Sequence, residues 1–135
     1  MAFQMSTALR NARLDAIETL VGTSAKIKIF TGSKPANCAA ADSGTVLATW
    51  NLASDWAAAA SGGSKSLSST PLSTTAGASG TAGYYRLYAS DGATCHMQGT
   101  VTAVGGGGDL TLDNPNISNG QTVNITSWSI TDGNV

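Results

Sequence analysis

The chain has 135 residues and a formal net charge of −1. That length suits one domain, and that charge gives no electrostatic attraction to nucleic acid or an anionic membrane. Ala, Gly, Ser and Thr supply 70 of the 135 residues and Leu, Ile, Val and Phe only 24, below the ~20% level that accompanies disorder. Disorder also needs a high net charge, so a thin β-rich domain whose strands use Thr, Ala and Val is expected instead.

The first segment, STALRNARLDAIETLVG, reads as a helix with Ser6 or Thr7 as N-cap and Gly22 as its end. At ~100° per residue, Leu9, Ala12, Ala16 and Leu20 form one apolar stripe, and Leu14, Ile17 and Val21 form a second beside it. Arg10 and Arg13 interleave with these, and the polar arc is Asn11, Asp15, Glu18 and Thr19. Two arrangements fit so wide an apolar arc. Either one stripe covers the domain's own sheet while the other meets another subunit, or the whole helix lies in a groove of its own domain.

After Gly22 the chain reads as β. AKIKIF alternates Lys26 and Lys28 with Ile27 and Ile29, as a half-exposed strand should; at a sheet edge it would add to a neighbour's sheet, or its lysines would guard against that. TGSKPANCAAADSG is a loop. TVLATWNL is a strand with Val46, Ala48, Trp50 and Leu52 on one face. A low-complexity stretch follows, with short strands expected near 55–60 and 65–69. DLTLD and QTVNITSWSIT are strands, and in the latter the apolar face changes at Ser127 or Trp128, which predicts a bulge or a strand used by two layers. The fold class is therefore mainly β: an antiparallel β-sandwich or jelly roll over 25–135, preceded by an arm and one N-terminal α-helix over 1–24.

YYRLYASDGATCHMQG gathers the only histidine, His96, and all the tyrosines. A three-residue loop, Asp91-Gly92-Ala93, pairs Ala89 with Cys95, Leu87 with Met97 and Tyr85 with Gly99. Tyr88 then faces His96, and Arg86 faces Gln98, on the outer side. Register parity sends Cys95 inward and His96 outward, so the two cannot act as a nucleophile and base. With one histidine and acids scattered at strand ends and loop tips, no catalytic residue is identified. Cys38 and Cys95 fit no metal spacing, no calcium-loop pattern is present, and no cofactor is implied. VGGGGDL lacks the Lys-Ser/Thr ending of a phosphate loop and reads as a flexible hairpin connection. No transmembrane run and no signal-peptide core are visible, so assembly in a cytoplasm is expected, with both cysteines reduced.

The order of elements, ALRNARLDAIETLVG, KIKIFTGSKPAN, TVLATWNL, GYYRLYASDGATCHMQGTV and DLTLDNPNISNGQTVNITSWSIT, resembles a family of small structural proteins of tailed bacteriophages. Members look like capsid decoration, or cement, proteins with a jelly-roll-like fold. The resemblance implies a non-enzymatic role on the exterior of the virion. It also implies the major capsid protein and the chain itself, as a dimer or trimer, as partners. Leu9, Arg10, Arg13, Leu14, Ile17 and Val21 of the helix, with Arg86, Tyr88 and His96 of the hairpin, are the candidate contact residues. The alternatives are a tail-tip or fibre module binding a receptor or glycan through Trp50, Trp56, Trp128 and the tyrosines, and a tail-tube subunit.

Overall fold

Capping chemistry sets the bounds of α1 (Thr7–Val21) in the computed structural model, which describes residues 3–133. The Ser6 hydroxyl accepts the Leu9 N–H at 3.1 Å, and Gly22, at φ 85°, ends the helix with its N–H on the Glu18 carbonyl at 2.9 Å. The rest of the regular structure is β: β1 (Lys26–Thr31), β2 (Val46–Asn51), β3 (Ser64–Ser66), β4 (Leu72–Thr75), β5 (Gly80–Tyr88), β6 (Cys95–Ala103), β7 (Leu110–Leu112), β8 (Asn116–Ile117) and β9 (Thr122–Thr131).

The strands form one curled, sandwich-like sheet in the order β2-β1-β5-β6-β7-β9-β3, with β4 also on β9 and β8 on β5. The expected class, mainly β with one N-terminal helix, therefore holds. The sheet curls until β4 meets β2. There the Trp50 indole N–H donates to the Leu72 carbonyl at 3.0 Å, and the Thr74 hydroxyl donates to the Thr49 carbonyl at 2.9 Å. The enclosed core includes Ile27, Ile29, Leu47, Trp50, Leu87, Leu110, Val123 and Trp128, and Val21 of the helix joins it.

The structure departs from the sequence reading at three places. β1 lies between β2 and β5, so it is not an edge open to a neighbour. A bulge pairs Ile29 with Ala48 but Phe30 with Val46, which turns Leu47 fully inward and leaves Val46 40% exposed. The third concerns β6 and β7, which are parallel and joined only by residues 104–109, whereas parallel neighbours usually need a crossover of about a dozen residues or more. The glycine run makes that tight return possible. Gly105 and Gly107 have φ of 83° and 80°, and Gly106 and Gly108 lie against Thr102, where a Cβ would come within 2.7 and 2.8 Å of its atoms. VGGGGDL is thus a packed return and not a flexible hairpin connection.

In β9 a bulge falls at Thr126, beside the expected change of face. Thr111 pairs with Ser127 and Leu112 with Ile125, so Val123, Ile125 and Trp128 all face inward. Of the strands expected near 55–60 and 65–69, the first is reduced to an Ala57–Leu67 bridge and the second to β3.

Candidate functional site

The helix is oriented by its polar arc. Asn11 Oδ1 accepts the Gly63 N–H and Asp15 Oδ1 accepts the Ala60 N–H, each at 2.9 Å. Arg10 donates to the Asp132 carbonyl at 3.0 Å, and Arg13 pairs with the Asp132 carboxylate at 3.3 Å. Leu14 and Val21 are buried, and Ile17 packs half-buried on the core. The opposite stripe is left outside: Leu9 is 49% and Leu20 74% exposed, with Ala12 and Ala16 exposed between them. Of the helix residues predicted to make contacts, Leu9 is therefore free to do so. Leu14, Ile17 and Val21 cover the chain's own core, and Arg10 and Arg13 hold the end of β9.

Lys65 of β3, which the sequence reading passed over, joins these groups. Its side chain is fully buried, and its ammonium reaches Asp15 Oδ1 at 2.9 Å, Glu18 Oε2 at 3.0 Å and the Ala58 carbonyl at 2.9 Å. Burial works against the Lys65 charge, yet its bonds to Asp15 and Glu18 hold its pKa above the ordinary lysine value. The Lys65 and Ala60 hydrogen bonds hold Asp15 below the ordinary carboxylate value. The only advance signal was a lone lysine two residues before Leu67 in a Ser/Gly-rich run.

The hairpin residues predicted to face outward do leave the central core, but they are covered. Residues 32–45 fold back over the outer side of β1, β5 and β6 as a strap. Arg86 lies beneath it, 2% exposed, donating to Asp42 Oδ1 at 2.7 Å, to the carbonyls of Ala40 and Asn37 at 2.9 and 3.0 Å, and to Gln98 Oε1 at 3.1 Å. The Tyr88 hydroxyl donates to Asp42 at 2.6 Å, and the Tyr84 hydroxyl donates to the Ser43 carbonyl at 2.6 Å. Burial, and then the contact with Asp42, raise the Tyr88 pKa. Phe30, Tyr84 and Tyr88 form a second small core here, with Phe30 and Tyr84 stacked at 4.8 Å. Arg86 and Tyr88 are thus strap anchors and not an exposed contact patch; His96 is half-buried.

The hairpin register also differs at its tip. Leu87 pairs with Met97, Tyr85 with Gly99 and Arg86 with Gln98, as predicted, but a bulge then sets Tyr88 opposite Cys95. Ala89 donates to the Thr94 carbonyl at 3.0 Å. The Asp91 carboxylate accepts the Ala93 and Thr94 N–H groups, each at 2.9 Å, and the Thr94 hydroxyl. These bonds, those of Thr94 first, lower its pKa to about 2. The bulge moves Cys95 to the outer side under the strap, where it forms a disulfide with Cys38. The expected pair of reduced thiols is therefore overturned: the strap brings the two Cα atoms to 5.4 Å, within bonding range.

Among the described residues no group of three or more His, Cys, Asp and Glu is arranged to hold a metal ion, and no helix is long and apolar enough to cross a membrane.

Unfolding free energy should follow the shifts at Lys65 and Asp15. The lowered Asp15 value contributes stability above about pH 4 that is lost as pH falls through the folded value, and the raised Lys65 value contributes stability that is lost as pH rises beyond about 10.4. Urea midpoints at about pH 3, 7 and 11 should therefore fall at both extremes, and Lys65→Met should flatten both limbs; parallel curves for the two proteins would remove Lys65 from this role. The strap disulfide spans 57 residues, a separation for which chain entropy predicts up to about 4 kcal/mol. In Cys38→Ser, amide hydrogens of residues 32–45 should exchange about tenfold faster or more while the β5 amides keep their protection. Unchanged strap exchange would mean that Arg86 and the tyrosines hold the loop unaided.

Comparison with protein-family models, curated proteins and solved structures gave no match to this chain.

Proposed function

We propose that the chain is a structural protein of a tailed-phage virion: a capsid decoration or cement protein that binds the outer capsid surface and bridges and stabilises neighbouring major capsid protein subunits, without catalysis. One observation carries this reading. The stripe Leu9, Ala12, Ala16 and Leu20 is turned away from the chain's own core while the opposite side of the same helix is clamped to it. A rigid apolar stripe loses little conformational freedom on docking, so most of its burial contributes to binding. Near-zero net charge favours close apposition to other subunits, and the family resemblance supplies the phage setting. The strap, tied down by Arg86 and the disulfide, suits a particle coat that must not loosen.

The receptor-binding alternative calls for exposed aromatic side chains. Trp50, Trp56 and Trp128 are each 2% exposed or less, and their indole N–H groups donate to Leu72, Gly22 and Tyr85 inside the molecule. A tail-tube role would require rings of the chain to polymerise.

Leu20→Asp combined with Ala16→Asp should reduce occupancy on purified particles by about tenfold or more, the scale of losing one buried leucine. The melting temperature should stay within a few degrees of the wild type, because both sites are exposed. Undiminished occupancy, or labelling of the tail instead of the head, would overturn the proposal.

A further inference from the structure

The wall of the sheet opens beside β7. β7 pairs with β6 only from Val101 to Ala103 and with β9 only as far as Trp128. Beyond Leu110, β6 continues toward Cys95 and β9 toward Thr131, and among the described residues no strand lies between them. A cleft of about 340 Å³ occupies that place, walled by Tyr85, Met97 and Gln98 on one side and Ile130 and Thr131 on the other, with Asp109 at one end.

Both sides of the cleft present main-chain hydrogen-bonding groups. The Thr100 N–H points toward the β7 side, donating to Asp109 Oδ2 at 2.9 Å. Alternation along the strand turns the N–H and C=O of Gln98 the same way. On β9, Thr131 is the ladder partner of Ser64. Ser64 exchanges its own hydrogen bonds with Ser61, at 2.9 and 3.0 Å, so Thr131 directs its backbone groups to the opposite side, into the cleft. The floor includes Met97 and Ile130, apolar side chains that the chain's own core covers only in part.

We propose that this cleft takes an added β-strand, and that the strand is the N-terminal arm of a second copy of this chain, with Phe3 as its anchor. Phe3 is 68% exposed, whereas Phe30, the only other phenylalanine, is fully buried. Residues 3–6 lie outside the helix and the strands, and Phe3-Gln4-Met5 alternates apolar with polar, the period of a strand with one face buried. Arg13 Nη1 donates to Met5 Sδ at 2.8 Å, and in the single chain Phe3 stays in solvent and not over Met97. The arm and the cleft also lie at the same end of β9, because Arg10 and Arg13 fasten the start of α1 to Asp132, next to Thr131. A two-fold axis beside that end lets each arm cross to the other copy's cleft, a reciprocal exchange that closes at a dimer. The arm then continues the line of β7, parallel to β6 and antiparallel to β9, and its Phe3 side chain covers Met97 and Ile130. This assembly is independent of any capsid, so its failure and that of the proposed function are separately visible.

Sedimentation equilibrium of the full chain, without particles, tests the assignment. The wild type should be a dimer. Phe3→Asp should weaken it by about 10- to 100-fold, the loss of one buried aromatic side chain, and Thr131→Pro should do so by removing an N–H from the cleft. Leu20→Asp should leave it unchanged. Should Thr131→Pro fail to fold, mixing a Phe3→Cys chain with a Met97→Cys chain under mild oxidation gives an independent readout, a covalent heterodimer. A wild type that stays monomeric at high micromolar concentration overturns the proposal. So does a dimer indifferent to Phe3→Asp, or the absence of the cross-linked heterodimer.

Discussion

The buried ammonium of Lys65 decides which way the helix faces. With two apolar stripes of similar size, α1 gains nearly the same hydrophobic stabilisation whichever one it buries, so apolar burial alone leaves its rotation undetermined. Lys65 removes that degeneracy by engaging Asp15, Glu18 and the Ala58 carbonyl from inside the molecule. A helix rotated to bury Leu9 and Leu20 would take both carboxylates away from that buried charge, at a cost of several kcal/mol. A buried ion pair adds little net stability compared with an apolar substitute, so its contribution here is orientation. Asn11 on Gly63, and Arg10 and Arg13 on Asp132, fix the same rotation from both sides.

A chain so rich in small residues has little material for a large core, and it concentrates what it has. The tryptophans each fill the interior and also donate a hydrogen bond, and the Trp56 indole ties the core to the helix end at Gly22. The strap adds a second, smaller core of Phe30, Tyr84 and Tyr88 on the opposite side of β1 and β5. Arg86 organises it by donating to the Ala40 and Asn37 carbonyls of the strap and to the Asp42 carboxylate. Of the exposed large apolar side chains, Phe3, Leu9 and Leu20 lie on the N-terminal arm and helix, Val46 on β2 and Val104 on the glycine return.

Features with local causes were legible in the sequence. The caps of α1, the alternation of β1, the central register of the β5–β6 hairpin and the bulge in β9 all follow from residues within a few positions of one another. Features resting on distant partners were not. Parity correctly placed Arg86 and Tyr88 off the central core, but nothing local announces that Asp42, 44 residues away from Arg86, would arrive to cover them. The disulfide was misjudged because the compartment argument ignored geometry and because a single bulge residue moved Cys95 across the strand. Lys65 was overlooked because a lysine in a serine-rich run reads as solvated, and its partners lie in the helix 50 residues earlier. The polar arc of the helix, through Asn11, Asp15 and Glu18, is a side that grips the protein.

Hydroxyl-radical footprinting of the protein, free and on purified particles, tests most directly the claim that the outward stripe of α1 is the working surface. Leu9 and Leu20 are reactive positions at 49% and 74% exposure, and Val104, at 69%, lies on the distant glycine return and serves as reference. The account predicts that oxidation of Leu9 and Leu20 falls sharply in the particle-bound protein relative to Val104. Undiminished oxidation of both leucines in the bound state would contradict it.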